Sequence, residues 1–319
     1  MVGWVVPDEP AGLGIGEARR DGWRLTRAHV GTFAAITLVP IVILNLLVLP
    51  IWLSTGRMFE AMIRFWTTID FARYRNDPEA LQRDMQAAMQ PSSDLAVLGT
   101  VGTGLAFIVI MLGVAALSAA TLDATAGRPP SVRGAFRAVG DHVGALITPA
   151  LILGLGYVLI FTPLTLNQAA FTSIGNSPAR AATSLVLGVT ALVVEVVALY
   201  LAIRWSLYFQ AVLGEGLGFR AALSRSAALT SGVRIKIGLI IIVWTIVIGI
   251  VVGFIGITSG LVVGIAAASL LAGLIAYTVT LSLCGLLYMP FYVAILTVIY
   301  RRRVEQTSVA APGPDTTLV

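Results

Sequence analysis

Glu195 is the residue best placed to do chemistry in this chain of 319 residues. It lies in Leu192-Val193-Val194-Glu195-Val196-Val197, near the middle of an apolar stretch of helical length. An ionised carboxylate in hydrocarbon is costly, so this one is neutral, paired, or facing water or protein. Two roles fit: a proton or cation site in a transport path, or a protonated carboxyl hydrogen-bonded to another helix. Asn45, also in the middle of an apolar run, is a candidate partner. Arg204 is a poor one, because the intervening helix turns through about 900° and places it on the opposite face.

A second group is Arg204, Trp205, Glu215, Arg225 and Ser226. Arg204 and Trp205 close an apolar stretch, and a cation and an indole both sit well at the headgroup level. Glu215 can neutralise Arg204 or Arg225 across the turn that holds Gly214, Gly216 and Gly218. From Phe219 to Ser231 the residues Phe219, Ala222, Leu223, Ser226 and Leu229 share one side of a helix, which should lie against the end of a bundle.

Other chemistries lack their residues. His29 and His142 are the only histidines and form no His-x-x-x-His pair, so they make poor metal ligands. Cys284 is the single cysteine, which excludes an internal disulfide and a thiolate cluster. Gly12-Leu13-Gly14-Ile15-Gly16 and Gly214-Glu215-Gly216-Leu217-Gly218 follow no strand and lack the Lys-Ser/Thr ending of a phosphate loop. No Ser-His-Asp set, carboxylate pair or zinc protease signature assembles. The expectation is no enzyme and no cofactor.

These residues need a membrane to position them. The chain is 57% hydrophobic and 12% charged, with a mean hydropathy of +0.91, whereas soluble domains carry about 25% charged residues. The net charge of +5 comes from arginines flanking apolar runs, which points to an anionic membrane face and away from nucleic acid. Six stretches reach the about 20 residues that cross a bilayer: 31–54, 95–122, 143–167, 181–210, 236–258 and 261–300. The last is read as one long helix bent at Gly285 or Pro290. With both termini on one side, that side holds fifteen of the 21 basic residues, which places the termini in the cytoplasm. The first span is too long for a signal-peptide core and is expected to be retained.

Between the first two spans, residues 56–94 read as an outer amphipathic loop, with Met58, Met62, Phe65, Trp66 and Ile69 on one face of an interfacial helix. A further helix starts at Asp77-Pro78 and runs to Gln90. Residues 1–16 read as a flexible lead-in and 304–319 as a disordered tail. Gly249, Gly253, Gly256, Gly260 and Gly264 form a small-residue series suited to close helix packing, inside the bundle or between protomers.

A short arginine-bearing helix precedes an apolar stretch three times. A shift of 113 residues places Trp23-Arg24 on Phe136-Arg137 and His29-Val30-Gly31 on His142-Val143-Gly144. A shift of 204 places Leu25-Thr26 on Leu229-Thr230. The expected fold is therefore all-α: a polytopic integral membrane bundle of six transmembrane helices as three helix hairpins, each preceded by a cytoplasmic interfacial helix. The single membrane domain spans 17–303, with repeat units about 17–122, 130–213 and 219–303.

The run Arg204-Trp205-Ser206-Leu207, Gly214-Glu215-Gly216-Leu217-Gly218-Phe219, Ala222-Leu223-Ser224-Arg225-Ser226 and Leu229-Thr230 resembles a segment of bacterial six-span membrane proteins. These include the membrane domain attached to some glycerophosphodiester phosphodiesterases. Arg20-Asp21-Gly22-Trp23-Arg24-Leu25 is similar to that family's entry helix, and Met289-Pro290-Phe291-Tyr292 with Tyr300-Arg301-Arg302-Arg303 to its ending. An aspartate often follows that last tyrosine in the family; here Arg301 does. The resemblance implies an architecture only, since the family's catalysis sits in a separate soluble barrel for which this chain has no room.

The expected function is a non-enzymatic protein of the bacterial inner membrane: a scaffold, or a subunit that binds lipids, a protein partner or a second copy. The alternative is a small transporter or channel built on Glu195, and a third is a membrane enzyme acting on lipid headgroups.

Overall fold

The computed structural model describes residues 15–69, 79–81, 83–84, 93–152, 155, 189, 193, 196–197, 199–267 and 269–309. Glu195 lies outside them, as do most of the spans expected at 143–167 and 181–210 and of the helix expected from Asp77 to Gln90. Among the described residues every regular element is helical. In chain order these are α1 (Ile15–Ala28), α2 (Val30–Thr68), α3 (Ser93–Thr125), α4 (Val132–Asp141), α5 (Val143–Ile152), α6 (Tyr208–Glu215), α7 (Phe219–Thr230), α8 (Arg234–Ala266) and α9 (Leu270–Val309). Four of them, α2, α3, α8 and α9, are long and apolar enough to cross a membrane.

Three boundaries differ from expectation. First, α2 does not stop near Ser54: it continues through Met58 to Thr68 as 39 residues of helix, about 58 Å. The outer part of the stretch expected to form a separate interfacial helix is thus an extension of the first long helix. Gly56 allows this, because a Cβ there would meet Leu271 and Leu274 of α9 at 3.4 and 3.6 Å, so the supposed break is a packing site. Second, α8 does not end at 258 but runs on to Ala266, and α9 begins at Leu270. Gly260 and Gly264 are inside α8, backed directly on Gly273 of α9. Third, α9 runs past Arg303 to Val309, so the first residues of the expected disordered tail are helix, and Val304 packs on the core.

The long helices form two antiparallel pairs. In the first, Gly99 faces Ile51, Gly102 faces Leu47 and Gly113 faces Pro40, so α3 climbs as α2 descends. In the second, Gly256 faces Tyr277 and Gly260 faces Gly273. Lipid supplies no hydrophobic drive for helices to associate, so close backbone approach at small residues carries the contact. The glycine series is therefore an internal seam between α8 and α9 from Gly256 to Gly264. At Gly249 and Gly253 a Cβ would meet nothing within 4 Å among the described residues.

The best-packed region is the arginine-bearing end. There Ala115, Ala116, Ser118, Ala120 and Thr121 of α3 and Val293, Ala294, Ile295, Thr297 and Ile299 of α9 are buried. Around them, α1 and α4 each feed a long or apolar helix through one residue, and α7 feeds α8 through Ser231, Gly232 and Val233. His29, His142 and Val233 adopt nearly the same backbone, with φ of -127, -116 and -123 and ψ of 26, 16 and 9. Each turn N–H donates to the carbonyl three residues back, on Thr26, Val139 or Thr230. Each turn carbonyl accepts from the residue four ahead, Phe33, Leu146 or Ile237, and these three side chains are fully buried.

Gly113→Val and Gly260→Val should each destabilise the protein by about 1–3 kcal/mol, because their new atoms meet a rigid proline ring and a backbone carbonyl. Gly249→Ala should be neutral or slightly stabilising, by up to about 1 kcal/mol. Thermal unfolding in detergent reads all three; equal losses would mean that the glycines are not distinguished by packing.

Candidate functional site at the arginine-bearing end

The site is assembled around the end of α9. Tyr300 donates its hydroxyl to Glu215 Oε1 at 2.8 Å, reaching α6. Arg301 donates to the carbonyl of Leu122 in α3 at 3.5 Å. Arg302 bonds Glu17 at 3.0 Å and Asp21 at 2.7 Å, one turn apart on α1. Arg303 donates to the carbonyls of Leu229 and Ser231 at the end of α7, both at 3.0 Å. Those carbonyls are among the orphan acceptors that every helix end leaves.

Of the five residues predicted from sequence as a motif, the structure joins four, as two pairs. Arg225 Nε lies 3.0 Å from both carboxylate oxygens of Glu215, so Glu215 pairs with Arg225 and not with Arg204. Gly216 makes the pairing possible: at φ 67 it ends α6 in the left-handed region, which turns the chain back into α7. Ser226 does something the sequence did not reveal. The helix ending at Arg204 breaks over residues 205–207, and the break frees the Arg204 carbonyl and the Leu207 N–H. The Ser226 hydroxyl donates to the former and accepts from the latter, both at 3.2 Å, and Thr230 donates to the same carbonyl at 3.2 Å. Ser226 and Thr230 are fully buried, so these bonds satisfy backbone groups that water does not reach. Trp205 packs on the core beside this splice, while Arg204 Nε is buried without a hydrogen-bond partner among the described residues.

Beneath the site, Thr121 and Thr297 share a hydrogen bond of 2.8 Å, and Gln210 Nε2 reaches Thr297 at 3.5 Å. The three are buried, and Gln210 Oε1 has no hydrogen-bond partner among the described residues. Sequence reading missed this trio because an isolated Thr in an apolar helix usually bonds its own backbone. The chemistry of the whole end is pairing and splicing. Among the described residues no group of three His, Cys, Asp or Glu side chains could hold a metal ion.

The mid-span candidate stands apart. Asn45 Nδ2 donates to the Ile41 carbonyl at 2.8 Å and to Ser282 Oγ of α9 at 2.9 Å, which ties α2 to α9 in the apolar layer. Cavities of about 410 and 400 Å³ flank this bond; Leu, Ile and Val dominate the first, and the second adds Pro40, Trp52, Tyr288 and Met289 to them.

Residues 180–314 match the family described as the membrane domain of glycerophosphoryl diester phosphodiesterase. The match contains Arg204, Glu215, Arg225, Ser226 and the arginines of α9, and leaves out α1 to α5. No curated protein and no solved structure matches the chain.

Ser226→Ala should cost about 1–3 kcal/mol, since it strands the buried Leu207 N–H, while the Arg204 carbonyl keeps its bond from Thr230. Tyr300→Phe should cost about 1–2 kcal/mol through its lost bond to a carboxylate. Combined with Glu215→Gln, it should show a coupling of roughly 0.5–3 kcal/mol in a double-mutant cycle. Strictly additive losses in detergent unfolding would mean that Tyr300 and Glu215 do not act together.

Proposed function

We propose that this chain is a non-catalytic protein of the bacterial inner membrane that serves as a scaffold or as a lipid- or partner-binding subunit. It crosses six times as three hairpins, with both termini in the cytoplasm. The observation that carries this reading is how the charged side chains at the polar end are spent. Arg225, Arg302 and Arg303 end on carboxylates or helix-terminal carbonyls of the same chain. A hydrolytic site needs a nucleophile, a base and electrophilic donors converging on one point, whereas these groups converge on one another.

Support for the topology comes from the backbone conformation shared by His29, His142 and Val233, the residues that immediately precede three apolar helices. The match to a membrane domain supports an embedded, non-catalytic role; the phosphodiester chemistry in that family's name is not carried over to this chain. One observation favours the alternative of a transporter: Asn45 and Ser282 place a polar bond in the apolar layer, where Glu195 is expected to lie. The apolar lining of both flanking cavities argues for packing against lipid over a water path.

A fluorescent protein fused at the carboxyl end should fluoresce, and alkaline phosphatase fused there should be inactive; the reverse pair of results overturns the topology. Proteoliposomes of the purified protein should show no proton or sodium flux above empty vesicles. A flux abolished by Glu195→Gln would establish the transport reading in its place.

A further inference from the structure

Between α3, α4, α6 and α9 lies a cavity of about 410 Å³ at the arginine-bearing end. Leu122, Leu213 and Val304 make its apolar side. Asp123, Glu215 and Glu305 line it together with Arg128, Arg301 and the Tyr300 phenol. We infer that this cavity binds a zwitterionic phosphoamine, a group carrying a phosphate and a primary ammonium, as in the headgroup of phosphatidylethanolamine.

The charges select the ligand. Three carboxylates and two guanidiniums line the space, and Glu215 is also faced by Arg225 from α7. With Arg225 counted, three guanidiniums face three carboxylates, so the balance favours neither a simple anion nor a simple cation. A ligand with both charges can place each against its opposite. The two arginines are not equivalent. Arg128 spends Nε and Nη2 on Asp123 Oδ1, at 2.9 and 2.6 Å. Among the described residues Arg301 donates one long hydrogen bond, of 3.5 Å to the Leu122 carbonyl, and its guanidinium has further donors for phosphate oxygens. Both bonds from Arg128 fall on Oδ1 of Asp123, so its Oδ2 can accept from an ammonium.

Position and size agree. Arg301 stands where α9 carries its arginines out of the apolar layer, the depth at which phosphates of a bilayer lie. The volume is within the roughly 300–1,000 Å³ of small-molecule sites. The apolar side gives the glycerol end of a lipid a surface to lie on.

This inference deepens the lipid-binding branch of the reading above and rests on the chain being membrane-embedded. The test titrates the full-length protein in detergent with phosphatidylethanolamine, phosphatidylcholine and phosphatidylglycerol, read by native mass spectrometry. Phosphatidylethanolamine should bind about tenfold tighter than either of the others. Phosphatidylcholine keeps the charge but has no N–H to donate, and phosphatidylglycerol has no cation. Arg301→Gln should weaken all three lipids, whereas Asp123→Asn should weaken phosphatidylethanolamine alone and close its gap to phosphatidylcholine. Arg220→Gln, exposed on α7, should change nothing. Thermal unfolding screens each variant; should Arg301→Gln fail to fold, the lipid preference and Asp123→Asn decide. Free phosphoethanolamine competing at millimolar concentration would show that the headgroup suffices. Its failure to compete, with phosphatidylethanolamine still preferred, would make the intact lipid the ligand. Equal affinity for the three lipids, or a preference that survives Asp123→Asn, overturns the assignment. Loss of lipid preference with the cytoplasmic carboxyl end intact would remove this site and leave the embedded scaffold standing.

Discussion

Because successive residues of an α-helix point about 100° apart, Tyr300, Arg301, Arg302 and Arg303 leave α9 in four directions, and each reaches a different neighbour. The contacts go to α6, α3, α1 and α7 in turn. Such a run of charge can be useful only at the centre of an assembly, where every direction holds protein. The residues before it meet that condition, since α9 is buried from Val293 to Tyr300. Arginine suits the task better than lysine: its planar fork lets Arg302 span two carboxylates one turn apart on α1, and Arg303 two carbonyls at the end of α7.

The rest of the bundle follows from this clasp. At the polar end, small residues of α3 allow helices to approach until threonine hydroxyls and a glutamine amide touch across the core. Toward the other end the same helices open out, and α2 and α8 present Leu46, Ile250 and Phe254 outward, as faces solvated by lipid do. What joins the described helices there is close packing at Gly56, Gly99, Gly102 and the α8–α9 glycine seam, with the Asn45–Ser282 and Ser259–Thr280 bonds as polar links. Polar bonds between helices in hydrocarbon are worth only about 0.6–2 kcal/mol each, so the two ends differ in how firmly they are held.

Much of this was legible in the sequence. Hydropathy identified the long helices that the structure describes, and the buried face of α7 was readable from the spacing of Ala222, Ser226 and Leu229. The pairing of Glu215 was narrowed to two arginines, and the turn at Gly216 chose between them. The rest was hidden for physical reasons. Ser54-Thr55-Gly56 looks like a helix end, yet a glycine is tolerated inside a helix when a neighbour packs on it. The loop expected near Gly260 failed for the same cause. The role of Ser226 depends on a helix break nineteen residues earlier in the chain, and the partners of Arg302 lie 281 and 285 residues away. No local pattern reports such distances.

Chain order gives the clasp a consequence in biogenesis. A ribosome makes Glu17 and Asp21 long before Arg302, and Glu215 well before Tyr300. Until α9 is made, Glu17, Asp21 and the ends of α3 and α7 lack the partners it brings, and Glu215 has its neighbour Arg225 but not Tyr300. The earlier helices can therefore insert one after another without being locked, and the final helix fastens them all at once.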